Sequence, residues 1–446
     1  MKYLPLFTLL FMTIHLCADD GKKTESDPIQ SIREERRETL MYGIDSQVID
    51  VLESLGTEQD TYLLPEVFTV FKVSVNSEIK IACLKLFGEL EYRDADDDAL
   101  AIIENYEDHN DDLVLAAIRY MSTGEDERTP AVLAVLLDIP NEIIASVVIE
   151  GIGESGKIEH VDMLLERLRN DEYPSNLKPT IILALGSLGH EKAVEPLMEI
   201  VEDRNEDSTW RRYACDALGK IGDPRAIVSL QEVLSSSDAI LRSYAVFALG
   251  GFEEAEIIPL LIQSLKDSFW RVRISACRSL AAKKANEAIP ILVFKAKKDP
   301  EMKVREAATT AIGEINNAEG NEILREFYMN ELTPQSIRLI ALENLIEYNL
   351  EDSLESIQKV IQEEWDKKSS KVLERTAYHL SLTESPSLEP VFSRFLSSGE
   401  IAIIIYGIRG IERNKFGQLK EFIENLSAEG NQRSIRQAAL AALENL

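Results

Sequence analysis

Apolar residues recur three and four apart in short blocks along nearly the whole chain, and the blocks themselves recur. The clearest copies read WRRYACDALGKIG (Trp210 to Gly222), LRSYAVFALGG (Leu241 to Gly251), VRISACRSLAA (Val272 to Ala282) and VREAATTAIGEI (Val304 to Ile315). Spacing of three and four marks one buried face of a helix. Recurrence at about 32 residues predicts a solenoid. Anchored on the small or apolar residue five places before the G of ALG, the register falls at Val51, Cys83, Ala117, Val148, Ile181, Ala214, Ala245, Ala276, Ala308, Ala341, Ala377, Ile405 and Ala439. Its gaps run from 28 to 36 residues. Between copies lies a second apolar helix pattern, as in AIVSLQEVL (Ala226 to Leu234) and IIPLLIQSL (Ile257 to Leu265), and Gly222-Asp223-Pro224 or Asp299-Pro300 punctuates the joints. Each unit is therefore predicted to be a helix pair. The two irregular gaps, 36 and 28, flank Glu363 to Ser370 and Glu384 to Pro390 and predict a local distortion.

The columns have physical reasons. An Ala at the fifth position lets crossing helices approach closely. Leu or Ile at the ninth fills the space between layers: Leu185, Leu218, Leu249, Leu280, Ile312. A Gly at the helix end suits a left-handed cap. Arg recurs at the second position (Arg211, Arg242, Arg273, Arg305, Arg338), and acids recur in the turn before it (Asp207, Asp238, Asp267). Acid and base in register predict a ladder tying one unit to the next.

These residues carry a resemblance. The pattern, best seen in GDPRAIVSLQEVLSSSDAILRSYAVFALG (Gly222 to Gly250), is similar to the HEAT-repeat family and in particular to its phycobilisome-lyase-type repeats. The match is strong from about residue 140 to 345 and weaker on both sides. The resemblance implies an all-α, right-handed α-solenoid of the armadillo/HEAT type, with about 12–13 antiparallel helix pairs. It also implies that the second helix of each pair lines a concave face. Such folds are mostly scaffolds and adaptors, so the motif specifies fold better than function.

The first 17 residues differ from the array. Lys2 precedes a nearly unbroken apolar run, Leu4 to Leu16, which Cys17, Ala18 and Asp19-Asp20 end. About 13 residues are too few to span a bilayer, which needs roughly 20. The run reads as an export signal over 1–18, followed by a polar linker over 19–30 and the repeat array over 31–446. Two cuts compete. Lipidation at Cys17 would anchor the chain to a membrane, although Ile14-His15-Leu16-Cys17 lacks the small residue of a standard lipobox. Cleavage after Ala18 would release it.

Charge narrows the partners. The formal net charge is −30, with 78 acidic against 48 basic residues. Nucleic-acid binders need a positive footprint, so nucleic acid is set aside. The charge is uneven. Glu91 to Glu127 holds 13 acids and two Arg; Arg271 to Arg305 holds ten bases and three acids. One basic unit in an acidic array suits an anionic partner, lipid head groups, or the acidic end of a second copy. Cys83, Cys215 and Cys277 fall in separate units, too far apart for a bridge that needs Cα atoms within about 7 Å. Three packed thiols are expected.

Several apparent motifs fail. Gly151 to Lys157 resembles a phosphate loop, but Ile158 stands where Ser or Thr would hold magnesium, and the run falls in register with ALGKIG. Asp94, Asp96 and Asp98 begin like a calcium loop, yet its sixth position is Ala99 and its twelfth Asn105. The resemblance also brings di-iron hydroxylases that use repeated His-Glu pairs; this chain has one, His190-Glu191. Nothing matches lyase chemistry. The seventh position should face the concave surface: Lys85, Arg119, Glu150, Leu183, Asp216, Phe247, Arg278, Thr310, Glu343, His379, Gly407. Leu183 and Phe247 are apolar there, as interface anchors are. Trp210 and Trp270 sit at helix starts and are expected to staple turns.

The readings converge on an exported, non-catalytic scaffold that binds protein partners in the bacterial cell envelope, without cofactor or metal. The candidate partner-binding residues are Leu183, Phe247, Arg271, Arg273, Arg278, Lys295, Lys297 and Lys298. The alternatives are a salt-sensitive homo-oligomer, a protein whose array spaces a Cys17 lipid anchor from its partner, and, last, a lyase-like or hydroxylase-like enzyme.

Overall fold

A computed structural model describes residues 28–154, 160–254 and 256–446. The described residues form 25 α-helices joined by turns and short 3-10 segments, with no strand. They divide into two compact units, one ending at Thr129 and one starting at Pro130. The first helix begins at Pro28, inside the stretch read as a linker.

Every anchor of the repeat register lies in a helix, and a helix precedes each one, so the predicted pairs are present. Asp45–Glu58, Ser77–Glu89 and Asp111–Ser122 carry the register in the first unit. In the second, Lys178–Leu188, Ser208–Ile221, Ala239–Leu249, Trp270–Ala282 and Met302–Ile315 are successive register helices, each packed on the next. The gap of 36 has a local cause. The register helix around Ala341 and the first helix of the next pair run together as Gln335–Glu364, broken only by non-helical backbone at Asn349 (φ −151°, ψ 40°).

The ninth-position column is the core: Leu185, Leu218, Leu249, Leu280 and Ile312 have no exposed surface. Each such side chain contributes about 1.5–3 kcal/mol by burial. Cys83, Cys215 and Cys277 are free and buried in this layer, and burial pushes each thiol up to about 12.

Close approach of the helices rests on glycine as much as on alanine. The Gly of ALG at the tenth position of one unit faces the eighth position of the next. A Cβ built on Gly186 would lie 2.6 Å from the Cα of Ala217, and one on Gly219 would lie 2.7 Å from that of Ala248. Gly153 meets Ala184 in the same way, at 2.9 Å. These glycines are helical. The left-handed cap expected of them falls instead on Gly189 (φ 65°) and Gly222 (φ 69°), three residues later.

The arginine ladder is real and runs forward. Arg242 binds Asp267 at 2.8 Å through Nε, and Arg273 binds Asp299 at 2.6 Å through Nη2. Arg338 reaches Glu364 at 3.4 Å. Each of these arginines also donates to a carbonyl before its own helix: Ser236, Asp267 and Tyr328 respectively. Two rungs depart. Arg212, not Arg211, pairs with Asp238, while Arg211 donates to the Val201 carbonyl. Arg305 donates to the Ala296 carbonyl, and the turn position that holds Asp299 one unit earlier holds Asn330.

Candidate functional site

The basic segment Arg271 to Arg305 is largely spent inside the fold. Arg273 is 5% exposed and held by Asp299, so it cannot serve as the partner-binding residue the sequence suggested. Lys295 joins the same carboxylate at 3.2 Å and is itself largely covered. Burial alone would raise the Asp299 carboxyl; Arg273, the Glu301 amide and Lys295 together hold it below the usual carboxylate range. Lys297 pairs with Glu326 and lies over the Phe327 ring. Lys283 pairs with Glu253, and Lys284 donates to the Glu314 carbonyl. Arg271 and Lys303 each sit 5.1 Å from the Trp270 ring centre. Among the described residues of this segment, Arg271, Arg278, Lys298 and Lys303 are exposed and have no ion pair, and Arg278 and Lys298 have no ring contact either.

Arg278 and Phe247 come together. Both stand at the seventh position, one unit apart, and Phe247 is 55% exposed. They line a shallow hollow of about 480 Å³ with Asp216, Lys220, Gly251 and Ala282. Gly250 and Gly251 also border it, and their missing side chains serve close packing. A Cβ on Gly250 would strike Ser279 and one on Gly251 would strike the Gly219 carbonyl, each at 2.5 Å. Asp216 and Lys220, one helical turn apart, neutralise each other at 3.0 Å. Arg278 also borders a second hollow of about 440 Å³, lined by Trp270, Ile274, Lys303, Glu306 and Thr310. Trp270, Ile274 and Arg278 are four apart and so share one helix face. That spacing was the available signal that Trp270 does more than staple a turn.

Other members of the row are less joined. Leu183 is half-buried on Lys178–Leu188 and lines neither hollow. Gly407 is buried, with Phe395 filling the space over it. Glu343 and His379 face each other at 3.0 Å in a wide acidic hollow of about 920 Å³ that also takes in Glu347, Glu351 and Glu384. Burial pulls the His379 pKa down, Glu343 pushes it up, and Arg375 pulls it down, with a net lowering. Glu351 accepts the hydroxyls of Ser385 and Ser387, both at 2.7 Å.

The discarded motifs are structural where they are described. Gly151 and Gly153 lie inside the helix Glu142–Glu154; the rest of the apparent phosphate loop, from residue 155 to Lys157, and Ile158 after it lie outside the described residues. Asp96 and Asp98 open the helix Asp96–Glu104, and Asp98 pairs with Lys72. His190 accepts the Lys192 amide through Nδ1. Among the described residues no three His, Cys, Asp or Glu side chains gather to hold a metal ion, and no helix is long and apolar enough to cross a membrane. Cys17 and the apolar run before it lie outside the described residues.

Comparison with known proteins fits this architecture. The Kap95:Nup1 complex is similar in fold at a TM-score of 0.54, with 12% identity over 93% of this chain and 67% of that one. Kap121p is similar at 0.44, with 12% identity, and this chain spans about half of its length, 53%. The CpcE–CpcF complex of phycocyanin lyase from Nostoc sp. PCC7120 is 22% identical over 52% of this chain and 92% of that one, at 0.34. No curated protein matches in sequence. The sequence profile described as spirochaete HEAT repeat protein matches residues 40–442, nearly the full length of the array. The chain belongs to that family of HEAT-repeat proteins.

Proposed function

We propose that this protein is a non-catalytic scaffold that docks protein partners on the seventh-position row of its register helices and works at the cell envelope. One observation carries the docking surface. Phe247 stands exposed beside an Arg278 that has no ion pair, in a hollow that Ala248 and Ala282 also line. Exposed aromatics and arginine in a shaped hollow are the usual anchors of protein interfaces. An expected role for the array follows from its build: each pair packs only on its neighbours, so the surface can lengthen without a new core. The envelope location rests on the apolar run Leu4 to Leu16 and its small, polar exit.

Site-specific photo-crosslinking in the native host tests the docking face. Crosslinkers at Phe247, Thr310 and Glu343 should capture partners. Crosslinkers at Val228 and Phe294, which are exposed on the first helices of their pairs, should not. Capture only from Val228 and Phe294 would overturn the assignment of the face. Arg273 is unsuited to such a test, because its loss breaks a buried rung rather than a surface.

A further inference from the structure

The hollow at Phe247 also indicates what chemistry it accepts, given the docking reading above. We propose that it takes a linear segment of a partner protein in which an apolar side chain and a carboxylate lie within two residues of each other. The apolar side chain rests on Phe247, Ala248 and Ala282; the carboxylate meets Arg278. The charge inventory of the hollow carries the argument. Asp216 and Lys220 cancel through their 3.0 Å pair, which leaves the Arg278 guanidinium as the one uncompensated charge. A neutral or cationic occupant would cover that guanidinium without pairing it. A carboxylate would complete a charge-assisted, two-pronged hydrogen bond. In the neighbouring hollow, Lys303 is drawn to the Trp270 ring and Glu306 and Glu314 add negative charge, so an acidic group is directed to the Phe247 side of Arg278.

Reach sets the spacing. An extended chain advances about 3.3–3.6 Å per residue. An arginine side chain spans roughly two such steps, so the carboxylate belongs one or two residues from the apolar anchor. The contact at Arg278 is exposed and is therefore screened by salt within about 10 Å at 0.1 M.

Fluorescence anisotropy on the full chain tests this with four labelled peptides, each carrying a three-residue core in a Gly-Ser frame: Leu-Ser-Glu, Leu-Ser-Gln, Ser-Ser-Glu and Leu-Ser-Lys. The Leu-Ser-Glu peptide should bind saturably and the other three at least about ten-fold more weakly, a difference of about 1.4 kcal/mol. Phe247→Ala should weaken the Leu-Ser-Glu peptide by a similar factor. Arg278→Glu should weaken it too and make Leu-Ser-Lys the preferred peptide, a reversal that general misfolding cannot produce. Three results overturn the proposal: unchanged Leu-Ser-Glu binding in Arg278→Glu, equal binding of the Lys and Glu peptides to the parent protein, or no saturable binding up to about 1 mM. Partner capture from the row in the crosslinking experiment, together with any of these, would leave the scaffold reading standing and remove only this one.

Discussion

Arg273 and Asp299 form a two-pronged pair across successive repeat units, with Nε and Nη2 at 2.9 and 2.6 Å from the two carboxylate oxygens and both residues 5% exposed. The same guanidinium also satisfies the Asp267 and Ser268 carbonyls, so it fixes a turn of its own unit as well as the next. Removing one partner strands a buried charge. Arg273→Met or Asp299→Leu alone should destabilise the second unit by about 3–5 kcal/mol, and the double replacement should cost less than the sum, though Lys295 and the Asp267 and Ser268 carbonyls would still lose their partner. Urea unfolding of the four proteins, followed by circular dichroism, checks it. Additive losses would mean that the rung contributes nothing as a pair.

Acid should act in two stages. Burial raises Asp238, Asp267, Asp299 and Glu364, but Arg and amide partners lower the three aspartates further, and Ser370 and Lys367 do the same for Glu364, so each folded carboxyl lies below its unfolded value. Their stabilisation is complete above the ordinary carboxylate range and is lost as pH falls through the depressed folded values, below about 4. His379 has the opposite chemistry and the same direction. Burial lowers its pKa, so below about 6.5 the unfolded chain binds the proton more readily and stability falls slightly. Thermal midpoints from pH 8 to 3 should therefore show a shallow decline below about 6.5, absent in His379→Gln, and a steep one below about 4. A steep loss between pH 7 and 5 in both proteins would contradict this assignment.

The fold was legible because its signal repeats. The apolar register located every register helix, and the ninth-position column proved to be the core. Exceptions arise where one residue departs from its column. Arg211 and Arg212 are adjacent, and sequence gave no reason to prefer the second as the ladder rung. Asn349 interrupts Gln335–Glu364 without a Gly or Pro to announce it. In the site, Phe247 was legible as an apolar residue in a mostly polar row. The burial of Arg273 was not, because counting charge along a segment ignores partners outside one's own turn. The spacing was nonetheless readable: Asp299 follows Arg273 by 26 residues and Asp267 follows Arg242 by 25.

Glycine at the tenth position sets how closely successive helices stack. In an ordinary helix interior Gly→Ala stabilises by up to about 1 kcal/mol. Gly186→Ala should do the reverse, costing about 1–3 kcal/mol, because the new Cβ would lie 2.6 Å from the Cα of Ala217 and neither backbone can move alone. Gly417→Ala is the control, with nothing within 4 Å of the added carbon. It should be neutral or stabilising by up to about 1 kcal/mol. Parallel thermal melts decide the matter, and equal behaviour of the two variants would show that the layers are not in tight register.

The envelope assignment makes its own prediction. Leu4 to Leu16 is mostly apolar, broken by Thr8, Thr13 and His15, and carries no Asp, Glu, Lys or Arg, and Cys17-Ala18 precedes Asp19-Asp20. A run this short is suited to recognition and removal rather than to spanning a bilayer. Intact mass of the protein purified from the native host should therefore lack the apolar run. A chain starting at Cys17 and carrying acyl groups, recovered with membranes, would fix the array to a membrane surface. The partner segments proposed for Phe247 and Arg278 would then have to lie within reach of that surface. A chain starting at Asp19 with no adduct, recovered with soluble protein, would leave the array free to bridge partners at a distance. A full-length mass beginning at Met1 would refute export by this route, while the docking surface proposed on the second unit would be unaffected.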